Sequence, residues 1–337
     1  MTLWLILFVF RTLMKKIPET GAEPLALTIR LSQKSSLPLL PFLLQRFPYH
    51  TEGEWVERIQ GERVLVNDRP ASEGQPLRAG DEIRYLTPSW VEPEVDPNYR
   101  VFYEDDHLLA VSKPSPLPVH SNGAYFRNTL MNLLRKDRPE ARDFHLVNRL
   151  DGETSGIVLM TKGNHHLKAL QEMWGKGEVR KSYRAIVFGK FDPPHRRVDA
   201  PIGSLRDSKI RMKLGVNMID GKDSVTEFER LGMKGIFSLV EARPLTGRTH
   251  QIRVHLETLG YPIVGDKLYS GNDETFLRFV EEGWTDWLQD RVILPRMALH
   301  AFRLELKHPA TGQPLLLEDP FPESLSRFWE GLRPDES

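Results

Sequence analysis

At 337 residues, with 40% apolar and 27% charged residues, the chain can hold two domains or one large domain with a small appendage, and its composition excludes extensive disorder. It has no cysteine, so disulfides, thiolate metal sites and cysteine nucleophiles are excluded, and a cytoplasmic location is expected. The 46 Lys and Arg balance 46 Asp and Glu, so a nucleic-acid partner needs locally clustered charge, because phosphate binding relies on basic residues displacing condensed counterions.

The chain opens on one apolar run, Leu3 to Phe10, far short of the roughly 20 residues that span a bilayer. Arg11, Lys15 and Lys16 follow this run, whereas a signal peptide carries its basic residues in front. Neither membrane insertion nor secretion is expected. Met14 is expected to be the true start, which the mass of the native amino-terminal peptide decides, and residues 1–36 read as an extension. Residues 37–87 read as a small turn-punctuated unit: LPLLPFLLQRFP as a helix, EWVERIQGERVLVND as helix then strand, and LRAGDEIRYL as turn then strand. Residues 88–100, carrying Pro88, Pro93 and Pro97, read as a linker.

From Val101, VFYEDDHLLAVSKP predicts two short strands around an Asp-rich turn, and NTLMNLLRK predicts a helix with Asn128 as cap. GIVLMTK reads as a buried strand. Asn164 is expected to cap a helix through Leu167, Leu170 and Trp174, before the strand KSYRAIVFG. SVTEFERLG and FSLVEARPL read as strands. HQIRVHLETLG puts Ile252, Leu256 and Leu259 on one helical face with Gly260 as stop, and HAFRLELKHP with PLLLEDP suggests a hairpin around Thr311 and Gly312. These elements do not repeat as strand–helix units. The expected fold class is therefore α+β: a mixed, largely antiparallel sheet with flanking helices over 101–332, plus the small N-terminal α+β unit.

Two stretches bear on chemistry. HLVNRLDGETSGIVLMTK puts Arg149 and Asp151 in a polar loop feeding a buried strand, which would hold a carboxylate rigidly while it faces a cleft. An Asp that merely orders a turn is the competing reading. About a hundred residues later, RPLTGRTHQIRVHL opens a helix with Gln251 and Arg253. An arginine within about 4 to 6 Å of Asp151 favours its charged form, although a purely structural ion pair looks the same in sequence. No HExxH, Gly-rich phosphate loop or carboxylate cluster of metal-ligand spacing occurs. His165 and His166 diverge by about 100° on a helix and cannot share an ion, and His250 and His255 read as capping or packing residues. Neither cofactor nor metal is expected.

NRLDGETSG, KSYRAIVFG, TGRTHQIRVHL and GYPIVGDKLYS, in this order across 101–318, resemble the RluA family of pseudouridine synthases. The resemblance implies a pseudouridine synthase fold for 101–332 and a cofactor-free isomerase of uridines in structured RNA, ribosomal or transfer, for which a monomer suffices. It implies that Asp151 attacks or deprotonates the ribose of the target so that the base detaches, turns and rejoins through carbon five. Tyr183 would stack near the uracil and help remove the carbon-five proton, and Arg253 would pair with Asp151. Arg149 would enter the RNA where the flipped uridine leaves, replacing part of the lost stacking. The further RNA-contacting positions are Asn148, Thr154, Arg180, Lys181, Arg248, His250 and Gln251. Asn148 stands where the family commonly has histidine, and asparagine hydrogen-bonds but does not titrate.

Between Lys176 and Lys213 there are eleven Lys or Arg against four Asp or Glu, a local excess that suits phosphates. The acidic segment 273–290, with Trp284 and Trp287, is expected to be a packed insertion facing away from RNA. ERVLVNDRPASEGQPLRAGDEI resembles the small RNA-binding module named after ribosomal protein S4, but Glu52, Glu54, Glu57 and Glu62 deprive it of a basic excess. Two other readings remain at this point. One is a non-catalytic RNA-binding protein that keeps the fold. The other is a glycoside or nucleoside hydrolase, which needs two carboxylates about 5 to 9.5 Å apart where one convincing candidate is present.

Overall fold

The computed structural model describes residues 26–47, 50–86, 92–121, 125–205, 207–210 and 212–333. The apolar run at 3–10, the Met14 start, Thr87 and residues 88–91 of the expected linker lie outside these. The chain divides into two compact units, Met1–Glu92 and Pro93–Ser337.

The small unit comprises β1 (Ala26–Arg30), α1 (Leu39–Arg46), α2 (Glu52–Gln60), β2 (Val64–Val66), β3 (Arg69–Pro70) and β4 (Glu82–Leu86). Its sheet runs β1-β4-β2-β3. Sequence reasoning began this unit at residue 37, yet β1 lies upstream and pairs antiparallel with β4 from Ala26 opposite Leu86 to Arg30 opposite Glu82. Alternation along ALTIR is too weak to mark a strand. Its pairing with an edge supplied by β4 decides it. Thr51 and Glu54 form a reciprocal capping box at the start of α2, satisfying two backbone donors. Leu39, Leu43, Trp55, Ile59, Val64, Leu77 and Ile83 fill the core beneath.

The larger unit begins within the expected linker. Val95 and Tyr99 pack against the core around Leu117 and Leu130, and the Tyr99 hydroxyl donates to Asp137 at 2.7 Å. The elements that follow are β5 (Arg100–Glu104), β6 (Leu108–Lys113), α3 (Leu130–Asp137), β7 (Phe144–Leu146), β8 (Ser155–Lys162), α4 (Leu167–Gly175) and β9 (Arg180–Phe188). Next come β10 (His195–Asp199), β11 (Ile202–Ser204), β12 (Leu214–Val216), β13 (Val225–Lys234), β14 (Phe237–Pro244), α5 (Gln251–Thr258), α6 (Asp273–Glu282) and α7 (Asp286–Val292). The unit ends with β15 (Leu299–Lys307), β16 (Pro314–Glu318) and α8 (Glu323–Gly331). The caps differ from expectation: Thr129 rather than Asn128 accepts from Asn132 N at α3, and His166 precedes α4 while Asn164 offers only its backbone carbonyl.

A ten-stranded sheet in the order β10-β13-β14-β9-β15-β8-β6-β5, with β16 on β15 and β7 on β8, forms the framework. Its pairings are antiparallel except for β15 with β8. The expected mixed, largely antiparallel sheet is thus present. β8 reads as an unbroken apolar run because both its faces are covered: Val158 and Met160 join the Leu109–Leu130 cluster, while Ile157 and Leu159 join Leu108, Leu170 and Leu304. Each such buried side chain contributes about 1.5 to 3 kcal/mol. Where β8 meets β15 the backbones nearly touch. Gly156 has φ +117°, and a Cβ there would lie 2.2 Å from the Ala301 carbonyl, so no other residue fits.

Candidate active site

The strand β8 anchors the loop 147–154 that carries Asp151, and this loop is pinned at nearly every residue. The Asn148 carboxamide donates to Ile157 O at 3.0 Å and accepts from Leu159 N at 2.8 Å, tying the loop back to β8. Gly152 O accepts from Leu117 N at 2.9 Å and from Lys113 Nζ at 3.2 Å, and Ser115 Oγ donates to Glu153 O at 2.7 Å. Lys113 is completely buried and gives its other two hydrogen bonds to the carbonyls of Pro114 and Leu117. Burial, then the charge of Arg296, pushes its pKa down to about 7.

Arg253 reaches this loop from α5. That helix is fixed on two sides: Ile252 and Leu256 enter the core with Ala185 and Val240, while Val254 enters a second cluster with Ile202, Leu268 and Tyr269. Arg253 Nη1 donates to Asp151 Oδ2 at 3.0 Å, so the pair expected from sequence is formed. Sequence reasoning missed what holds the arginine. Asp266 takes it in a fork, with Nε to Oδ2 at 2.7 Å and Nη2 to Oδ1 at 2.9 Å, and accepts from Leu268 N and Tyr269 N as well. Burial works against the guanidinium charge, but the Asp266 charge and hydrogen bonds, with Asp151 behind them, override it and raise the Arg253 pKa. Asp151 itself keeps a side chain one-third exposed. The signal for Asp266 was present in GYPIVGDKLYS, where an Asp follows a turn glycine, but its partner is defined only by folding.

His250 stands before α5 with φ +57°, a left-handed conformation uncommon outside glycine and typical of constrained functional positions. Its Nδ1 lies 3.0 Å from the Tyr269 hydroxyl, which also accepts from Leu214 N. Its Nε2 faces Asp151 Oδ2 at 3.8 Å. His250 occupies the cap position without capping, whereas His255 packs as expected, bonded to Thr226 Oγ1 and Ala200 O. Burial, then the Arg253 charge, lowers the His250 pKa to about 4. A folded value below the ordinary 6.5 stabilises the fold above pH 6.5 and loses that contribution as pH falls toward 4. His250→Gln is therefore expected to shrink the stability difference between pH 7 and pH 5 by up to about 2 kcal/mol, read from urea unfolding at both values.

Tyr183 lies on β9 in register with Ala301, itself in register with Gly156 at the start of β8. It is partly buried, and burial followed by the charge of Asp151 raises its pKa, so phenol and carboxylate are electrostatic neighbours. Of the positions expected to touch RNA, Arg149, Arg180 and Arg248 are exposed. Four others are buried, and three of these are bonded to the framework through their side chains. Asn148 bonds β8 as described. Thr154 is buried. Gln251 is saturated by Thr246 Oγ1, Arg248 N, Val225 O and Thr226 Oγ1. Lys181 is buried with Nζ donating to Thr246 O at 3.1 Å, and burial lowers its pKa to about 8. The basic excess before Lys213 is also partly compensated, since Lys213 pairs with Asp273 of the acidic segment at 3.1 Å. The guanidinium carbons of Arg278 and Arg291 lie 4.4 and 3.6 Å from the ring centroid of Trp287 in that segment. Among the described residues no group of His, Cys, Asp or Glu could hold a metal ion, and no helix is long and apolar enough to cross a membrane.

Residues 107–258 match the family model for RNA pseudouridylate synthase. Ribosomal large subunit pseudouridine synthase C of Vibrio vulnificus is 35% identical over 282 residues, covering 80% of this chain and 84% of that protein. Ribosomal large subunit pseudouridine synthase D of Xanthomonas campestris is 34% identical over 301 residues, covering 87% and 88%. Among solved structures, human RNA pseudouridylate synthase domain containing 1 aligns with a TM-score of 0.55 at 27% identity, over 70% of this chain and 89% of that one. The sheet, the framed carboxylate and these matches define the class as RNA pseudouridine synthases, which are isomerases. Within that class the chain belongs to the RluA family.

Proposed function

We propose that this chain isomerises particular uridines of ribosomal RNA, with Asp151 as the group that engages the ribose. The observation that carries this reading is a carboxylate left one-third exposed while Arg253, gripped from behind by Asp266, fixes it at 3.0 Å. Such a group is oriented yet reachable, as a nucleophile or base must be. Arg149, exposed two residues before it, would fill the stack vacated by the everted uridine. Arg180 and Arg248 would take phosphates.

Tyr183 would act after Asp151. Its phenol is kept protonated partly by the charge of Asp151. When that charge disappears in a covalent bond to the sugar, one cause of the raised pKa disappears with it, so the phenol gives up its own proton to solvent more readily and the resulting phenolate can take the carbon-five proton of the rotated uracil. The ribosomal target is favoured over transfer RNA by the names of the relatives that align over most of the chain, which are large-subunit ribosomal enzymes. The small unit, including β1, is assigned to the S4-like module.

The purified chain, treated with a chelator, should convert uridine in a large-subunit ribosomal RNA transcript, detected by mass spectrometry of the digested RNA. Conversion in a transfer RNA transcript alone would overturn the ribosomal assignment. No conversion in either, with or without divalent ions, would overturn the enzymatic reading of this site.

A further inference from the structure

The Asp151 loop has a second charged attachment, which joins two of the motif stretches. Glu153, two residues beyond Asp151, accepts from Lys267 Nζ at 2.7 Å. The Lys267 side chain is 4% exposed, donates also to Pro295 O at 2.6 Å and lies with its Nζ 5.0 Å from the Phe279 ring centroid. Its chain neighbour is Asp266. One turn therefore carries adjacent charges of opposite sign that reach two points of the same loop: Asp266 acts through Arg253 on residue 151, and Lys267 acts directly on residue 153. The turn has no slack. Gly265 has φ +80°, a Cβ on it would lie 1.9 Å from Arg296 O, and its N–H is bonded to Val292 O at 2.8 Å.

Stability alone is a poor account of this pair. An ammonium held this deeply is desolvated, and replacing such a pair by apolar side chains is often neutral or stabilising. What two opposite attachments from one rigid turn do supply is a fixed geometry. We infer that Lys267 and Glu153 are positioning residues: by holding residue 153 to the Asp266 turn they set the orientation of Asp151 against Arg253 and the sugar. This rests on the reading of Asp151 as the reacting group. Neither residue touches the reacting atoms, so their effect is confined to how often the carboxylate is in line for attack.

Glu153→Gln, Lys267→Met and the double variant test this by turnover of a ribosomal RNA transcript, with Asp151→Asn as control and thermal unfolding of each protein. Each single change should lower kcat roughly 10- to 100-fold while the KM for RNA stays within about twofold, since misplacement of a reacting group by about 1 Å costs on that order. The double variant should be no worse than the worse single one, as expected for two ends of one attachment. Because Glu153 is one-third exposed, Glu153→Gln decides the matter even if Lys267→Met fails to fold. An unchanged kcat in Glu153→Gln, additive losses in the double variant, or a raised KM at full kcat would overturn the inference, the last by making Glu153 an RNA contact. Turnover that survives Asp151→Asn would instead strike the Asp151 reading, and the positioning role with it.

Discussion

Asp151→Asn is expected to abolish uridine isomerisation, by at least about 10⁴-fold in single-turnover kcat, while leaving the protein folded and able to bind RNA. The asparagine is isosteric and its Oδ1 can still accept from Arg253 Nη1, so the 3.0 Å contact has a neutral substitute. Arg253 keeps Asp266 as its charged partner, so no buried cation is stranded. What disappears is the negative oxygen that attacks or deprotonates the ribose. Asp151→Glu keeps the charge but moves it outward by one methylene, and a loss of about 100-fold is expected from misplacement alone. Turnover within tenfold of wild type in Asp151→Asn, with an unchanged melting curve, would rule this side chain out as nucleophile or base.

Asp266→Asn should strike stability and rate together. The Asp266 carboxylate is buried, and its pKa is lowered although burial by itself would raise it, because the Arg253 charge, the Arg253 hydrogen bonds and the amides of Leu268 and Tyr269 outweigh desolvation. A lowered carboxylate pKa gives stability that is fully present above the ordinary 3.8 and lost as pH falls through the folded value, so all of it is present at pH 7. Asparagine preserves an acceptor for the two amides but leaves Arg253, itself 11% exposed, with Asp151 as its remaining anion. Breaking one side of such a pair costs about 3 to 5 kcal/mol, a large share of the roughly 5 to 15 kcal/mol that holds a domain folded. A fall in melting temperature of about 10 °C at pH 7 is expected by differential scanning calorimetry. The freed guanidinium should also turn more fully onto Asp151 and reduce kcat. A shift under about 2 °C would mean that Asp266 does not hold Arg253 in solution.

Sequence alone determined the larger architecture, for physical reasons that act locally, while the pairing of Arg253 with Asp151 was expected from the family resemblance. The run at 156–162 reads as a buried strand, and the spacing of Ile252, Leu256 and Leu259 suits one face of a helix. A polar Asp at the entrance of such a strand, and an Arg in the first turn of such a helix, are legible because rigid elements fix where they point. Charge partners and burial were not legible, since both depend on contacts between segments far apart in the chain. The bonds of the Asn148 and Gln251 carboxamides to the framework appear only in the fold, because the partners of a polar side chain are set by contacts between segments that sequence does not bring together. The pairing of β1 with β4, the fork of Asp266 on Arg253 and the Lys267–Glu153 contact were likewise decided by tertiary structure: each joins residues 13 or more positions apart whose attraction takes effect only once the chain has folded and excluded water between them.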